Sequence, residues 1–186
     1  MLPEQRRPFV IAPELVRLVL SQFALDINEI HGPQHWFRVA ANGRRLAAET
    51  SGADPIVIEH FALLHDSKRV NEEADRGHGR RAAVFIDEIG AHLSLTDGQI
   101  DLLKQACSGH DLGHTEANPT IGCCWDADRL DLSRLGRRPY SRLLSTAAAQ
   151  NADLQTWAWE RGSLAIYDRD VANDWGLAFR FTQAGD

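Results

Sequence analysis

A chain of 186 residues, 44% hydrophobic and 25% charged, has the composition of an ordinary globular protein and is long enough to bury a substantial core. Its formal net charge of -6 at pH 7 speaks against a dedicated nucleic-acid surface, but not against a phosphorylated ligand held through a bound dication. No apolar run approaches the roughly 18 residues of a membrane helix, and Pro8, Pro13, Glu14 and Arg17 interrupt the stretch where an export signal would be continuous.

In chain order, Pro13 opens a first helix with Leu15, Leu18, Val19 and Phe23 at helical spacing. A second starts near Pro33 and runs through HWFRVAANGRRLAAE to the Ser51-Gly52 break. Gly43 weakens its middle by about 1 kcal/mol relative to alanine. Asp54 as N-cap and Pro55 at the first helical position mark a third, whose apolar face is Val57, Ile58, Phe61, Ala62 and Leu64. The polar run SKRVNEEADRGHG predicts a helix end and a loop. Ala82, Ala83, Phe85, Ile86 and Ile89 give a fourth helix ended by Gly90, and Thr96 with Gln99 forms a capping box for DGQIDLLKQACS.

From Gly109 to Gly122 the composition predicts a loop, followed by a helix carrying WDADRLDLSRL and stopped by Gly136 and Pro139. Cys123 and Cys124 read as small buried hydrophobes before that helix. With Cys107 they form no CxxC pair and leave one thiol over, so a reducing cytoplasm is the expected compartment. The stretch SRLLSTAAAQNADLQTWAWERG predicts helix, and Trp175, Phe179 and Phe181 predict a packing tail. There is no repeat, low-complexity tract or linker, so the expectation over residues 1–186 is one all-α domain.

The chemistry is expected from arrangement, since each of the eight histidines taken singly is more often structural than a ligand. His65-Asp66 places an imidazole beside a carboxylate where an apolar helix meets a polar loop. A carboxylate buried there needs a cation or strong hydrogen bonds. A mixed imidazole and carboxylate set suits Mn, Fe, Co, Ni or Zn better than Ca. His35, in the early turns of the second helix, is placed to join them. In WDADRLDL, Asp126 fits a first-turn capping role, and Asp131 faces solvent or pairs with an arginine.

The ordered set His35, His65-Asp66 and Asp128, with HWFRVA, HDSKRVNEEADRGHGRRAA and WDADRLDL around it, resembles the H…HD…D signature of the HD-domain superfamily over residues 31–135. The resemblance implies an all-α HD-like bundle of about five core helices with a metal site between them. It singles out Asp128 as the fourth ligand, with Mg added to the candidate ions. It also implies a metal-dependent hydrolase of a phosphoester or phosphoanhydride in a small phosphorylated metabolite, such as a nucleotide. Some members use two further histidines for a second metal, with the HD aspartate bridging. His78 and His110 are the candidates here, as second-metal or phosphate ligands, against plain roles as a helix cap and a backbone-bonded loop residue. His31, His60, His92 and His114 are read as structural.

Substrate phosphate calls for cations. Arg38 lies one turn from His35, Lys68 and Arg69 follow the HD pair, and Arg129 follows Asp128. Glu72 and Asp75 are candidate general bases, although the HDxxED form of the guanosine tetraphosphate hydrolases is absent. Trp36 and Trp125, beside proposed ligands, are candidates to stack a nucleobase. Two other readings stand beside hydrolysis: a di-iron oxygenase on the same scaffold, and a non-catalytic metal-binding regulatory module. A homo-oligomer packed through the aromatic tail is compatible with all three.

Overall fold

The computed structural model describes residues 11–166 and 168–177, among which there is no β-strand. The α-helices there are α1 (Pro13–Ser21), α2 (Pro33–Glu49), α3 (Pro55–Leu64), α4 (His78–Glu88), α5 (Asp97–Gly109), α6 (Pro119–Leu130), α7 (Ala152–Ser163) and α8 (Arg169–Asp174). Short 3-10 turns cover Gly90–His92, Asp131–Leu135 and Ser141–Leu143. None of the described helices is long and apolar enough to cross a membrane.

Helix α3 is the hub. Every residue from Val57 to Leu64 is buried, Glu59 and His60 included, as suits a helix apolar on nearly all sides. Helices α2, α5 and α6 pack around it. Its start is fixed locally, since the Asp54 carboxylate accepts the N–H groups of Ile56 and Val57. The Thr96–Gln99 capping box forms at the start of α5 as the spacing predicts. Buried Glu59 accepts from Arg44 at 2.5 and 2.9 Å and from Trp175 Nε1 at 2.7 Å, which ties the end of α8 to the hub.

Two glycines set how closely the helices approach. A Cβ on Gly43 would lie 2.5 Å from Ile58 Cγ2, so the residue that weakens α2 is the one that lets α2 cross α3. On α4, a Cβ on Gly79 would lie 2.2 Å from the Cys107 carbonyl oxygen of α5 and 3.2 Å from His110 Cε1. That contact holds the N-terminal end of α4 against the C-terminal end of α5. Gly79→Ala is expected to push the two apart and cost about 1–3 kcal/mol, measured as a lowered thermal midpoint.

Three local expectations need correcting. Helix α6 begins at Pro119, capped by the Asn118 side chain, so Cys123 and Cys124 lie inside the helix rather than before it. Asp126 is therefore not in a first turn. It is fully buried and accepts Ser145 N–H, Thr146 N–H and the Thr146 hydroxyl at 2.8–2.9 Å, capping a different segment. That anchor replaces the helix expected over 141–151 with a 3-10 turn and further turns, and α7 starts only after Asn151. Trp175 is buried as a packing residue; Phe179 and Phe181 lie outside the described residues.

Candidate metal centre

Helix ends converge on one point. His35 comes from the first turn of α2, His65 caps the C-terminus of α3, and Asp66 follows it. His78 is the first residue of α4, His110 caps the C-terminus of α5, and Asp128 sits in the last turn of α6. All are buried except Asp128, whose side chain is 19% exposed and marks where the cluster opens.

The imidazoles are oriented by their outer nitrogens. His65 Nδ1 faces the Phe61 and Ala62 carbonyls at 3.1 and 3.2 Å, and His78 Nδ1 faces the Asp75 carbonyl at 2.6 Å. His110 Nδ1 faces the Cys107 carbonyl at 2.7 Å, and His35 Nδ1 faces Asp131 Oδ2 at 2.7 Å. Each Nδ1 meets an acceptor at 3.2 Å or closer, and at His78 the 2.6 Å carbonyl outweighs a looser 3.4 Å approach by Arg69 Nη1. Each therefore carries a proton, which leaves the Nε2 lone pair of a neutral ring pointing inward. Carboxylates and carbonyls behind histidines in this way are what orient metal ligands.

Inward, the four Nε2 atoms divide between the two oxygens of Asp66. On the Oδ2 side, His35 and His65 lie 3.1 Å from each other and 3.6 Å from the carboxylate, with Asp128 Oδ1 at 3.4 and 3.8 Å. On the Oδ1 side, His78 and His110 lie 2.8 Å apart and 3.1 and 3.7 Å from the carboxylate. Two three-residue groups result, His35–His65–Asp66 and Asp66–His78–His110, with Asp66 shared. Two nitrogens bound to one ion at about 2.1 Å lie about 3.0–3.4 Å apart, so the His35–His65 spacing of 3.1 Å fits ligation and the His78–His110 spacing of 2.8 Å would open slightly. The fit is supported by an orphan: Asp66 Oδ1 is sealed from solvent without a hydrogen-bond partner, although His78 Nε2 is 3.1 Å away. With the His78 proton on Nδ1, that approach sets two acceptors face to face, which is costly unless a cation lies between them.

No protein-family model and no curated protein matches the chain. A solved structure does: one described as a predicted HD superfamily hydrolase from an uncultured Thermotogales bacterium, with a TM-score of 0.62 and 22% identity over 84% of this chain and 88% of that one. The two chains share one fold.

Within this fold the electrostatics follow from burial and pairing. Burial alone would lower His35, but hydrogen bonds to Asp128, Asp131 and Asp66 outweigh it and raise the ring to about 9. His65, buried beside it, is lowered to about 3. The first pair thus holds one extra proton between its Nε2 atoms when no metal is bound. His110 is likewise raised, the nearby Asp66 and Asp128 carboxylates outweighing burial. Despite burial, Asp66 and Asp128 are held well below the usual carboxylate range by the surrounding imidazoles.

Metal uptake must therefore displace protons. At pH 7 an ion on the His35 side is expected to release about one proton, with affinity weakening about tenfold per pH unit on acidification, as read by titration calorimetry in buffers of different ionisation enthalpy. The metal-stripped protein should behave oppositely. The raised His35 stabilises it fully below the unfolded value of 6.5, and that contribution is lost as pH rises through about 9. The thermal midpoint of chelated protein should fall across that window.

The cations named from the sequence are mostly committed elsewhere. Arg38 donates through Nε and Nη2 to Asp131 at 2.7 and 3.1 Å, so it braces the residue behind His35 instead of facing a ligand. Lys68 donates to Gln22 and lies over the Phe85 ring, outside the cluster. Arg129 donates to the Leu143 and His114 carbonyls and ties loops to α6. Arg69 does reach the cluster, with Nη1 3.6 Å from Asp66 Oδ1, while its Nη2 holds the Glu73 carbonyl.

Asp75 accepts from Arg81 at 2.6 Å and from Val70 N–H at 2.7 Å. These bonds outweigh burial and lower its pKa, which suits a loop anchor and not a base. Trp36 and Trp125 are buried and donate to the His31 and Ala106 carbonyls, so neither is open to a nucleobase. Glu72 is at the site: His31 Nδ1 lies 2.5 Å from its Oε2, and its Oε1 is buried without a partner. Sequence reasoning missed Asp131 as the partner of His35 and His31 as the partner of Glu72. The first carried a signal, since Asp128 and Asp131 are one helical turn apart.

Proposed function

We propose that the protein is a divalent-metal-dependent hydrolase that cleaves a phosphoester or phosphoanhydride in a small metabolite, a nucleotide being the favoured class. The observation that carries the reading is the pair of lone-pair-bearing imidazole groups facing the two oxygens of Asp66, together with the fold shared with a protein described as a predicted hydrolase. His35, His65, Asp66 and Asp128 would hold one ion, and Asp66, His78 and His110 would hold a second. Bound there, the metal supplies a Lewis acid for a phosphoryl oxygen and a lowered pKa for water.

The remaining work falls to the chain. Asp131 keeps the His35 proton on Nδ1, so that Nε2 stays available. Glu72, steered by His31, presents Oε1 as the proton acceptor for an attacking water. Burial raises its pKa, which moves a carboxylate toward the range where it works as a base near neutrality.

The shared aspartate with histidines on both sides also fits a di-iron oxygenase, which is the second reading. One experiment separates the two: metal content of untagged protein, then phosphate and pyrophosphate release from a nucleotide and phosphoester panel with Mn, Co, Ni or Mg. Metal-dependent release abolished by a chelator supports the hydrolase. Two irons with oxygen uptake and no phosphate release would replace it with the oxygenase, and metal without either activity would leave a binding module.

A further inference from the structure

The cluster opens beside Asp128, and among the described residues Arg134 stands near that side with part of its guanidinium uncommitted. Arg134, on the 3-10 turn Asp131–Leu135, has a side chain only 8% exposed. Its Nε donates to the Ile30 carbonyl at 3.1 Å, next to His31, and its Nη1 donates to the Asp131 carbonyl at 3.1 Å. Nη1 also lies 3.8 Å from Asp131 Oδ2, the oxygen that orients His35.

Among the described residues Nη2 makes no hydrogen bond, and it is not sealed from solvent as Arg38 Nη1 is. The guanidinium is thus held rigidly by two backbone carbonyls, with one edge left over. Its charge acts on His31, His35, Glu72, Asp128 and Asp131, which places it among the site groups. A buried, pre-oriented arginine with a spare N–H edge matches a phosphate oxygen in both charge and geometry. Arg69 reaches the opposite, Asp66 Oδ1 side, so cations flank both halves of the cluster.

We propose that Arg134 is the phosphate-binding residue of the site, its Nη2 edge donating to a non-bridging oxygen of the substrate's phosphoryl group. The proposal rests on the phosphohydrolase reading and adds to it the residue that recognises the group being transferred. An arginine whose backbone bonds survive phosphate binding loses little entropy in capturing it.

The test uses the metal-loaded full chain with inorganic phosphate as the probe, in Arg134→Met and Arg134→Lys variants. Methionine keeps an apolar stem, and lysine keeps the charge without the fork. Metal content and thermal midpoint are measured beside phosphate affinity by titration calorimetry. The expected result is unchanged metal content in both, phosphate affinity weakened by about 10- to 100-fold in Arg134→Met, an intermediate loss in Arg134→Lys, and partial recovery of Arg134→Met with added guanidinium.

Unchanged phosphate affinity in Arg134→Met would overturn the proposal while leaving the hydrolase intact. Loss of metal from both variants would overturn it by making Arg134 a brace for Asp131. Absence of phosphate binding by metal-loaded wild type would overturn both this proposal and the reading beneath it.

Discussion

Asp66→Ala is expected to strip both metals and lower kcat/KM by about a thousandfold or more, roughly 4 kcal/mol of transition-state stabilisation. The size follows from Asp66 being the one residue common to both three-residue groups, with a different oxygen turned to each. Asp66→Asn makes the sharper comparison. The amide keeps one carbonyl oxygen, but its nitrogen can only donate, and a neighbouring imidazole lone pair would accept from it. The asparagine variant should therefore fold normally and hold at most one ion.

His110→Ala should remove the ion on the Oδ1 side alone, leaving His35, His65, Asp66 and Asp128 to keep the other. Elemental analysis of the three variants gives the pattern directly: none for alanine, one at most for asparagine, one for His110→Ala. Two ions retained by Asp66→Ala would refute the shared-aspartate arrangement, whatever the activity.

Much of this site was legible because its signals are local. Asp54-Pro55 and Thr96 with Gln99 fix helix starts through their own backbone bonds, so α3 and α5 end where His65 and His110 are needed. The same reasoning failed at α6. The Asn118-Pro119 start lies within a stretch rich in glycine, asparagine and proline, and Gly122 with two cysteines offers little propensity to set against that composition. Misplacing the start gave Asp126 a first-turn role that its buried bonds to Ser145 and Thr146 exclude. It also hid the phase of the acids, for Asp128 and Asp131 share a face and Asp126 points away.

The cations were harder still. Nothing in the order Lys68-Arg69 says that the lysine leaves the cluster and the arginine enters it, since that depends on where Gln22 and the Glu73 carbonyl lie. Gly79 had no sequence signature either. Its value appears only when the Cys107 carbonyl is found 2.2 Å from where a Cβ would be.

Asp131→Ala should produce the second large effect, and it should do so without touching a metal ligand. In the native arrangement this carboxylate accepts from His35 Nδ1 at 2.7 Å and from Arg38 Nε at 2.7 Å, and both partners are buried. These bonds outweigh burial and keep Asp131 ionised. Removing it frees His35 to rotate or to move its proton to Nε2, where it competes with the metal. Loss of such an orienting partner costs about 10–100-fold in metal affinity. Removal also leaves the Arg38 guanidinium buried and uncompensated, a penalty of about 3–5 kcal/mol.

The two consequences can be separated by Asp131→Asn. Its carbonyl oxygen can still accept from His35 Nδ1, so metal affinity should be largely preserved, whereas the charge opposite Arg38 is gone and stability should fall. Asp131→Ala with Arg38→Met should recover part of the lost stability, because the stranded charge is removed, but none of the lost metal affinity. Metal dissociation constants and thermal midpoints measured across these variants assign the two roles of one carboxylate. A double variant that regained metal affinity would show that Arg38, not the His35 tautomer, was what Asp131 controlled.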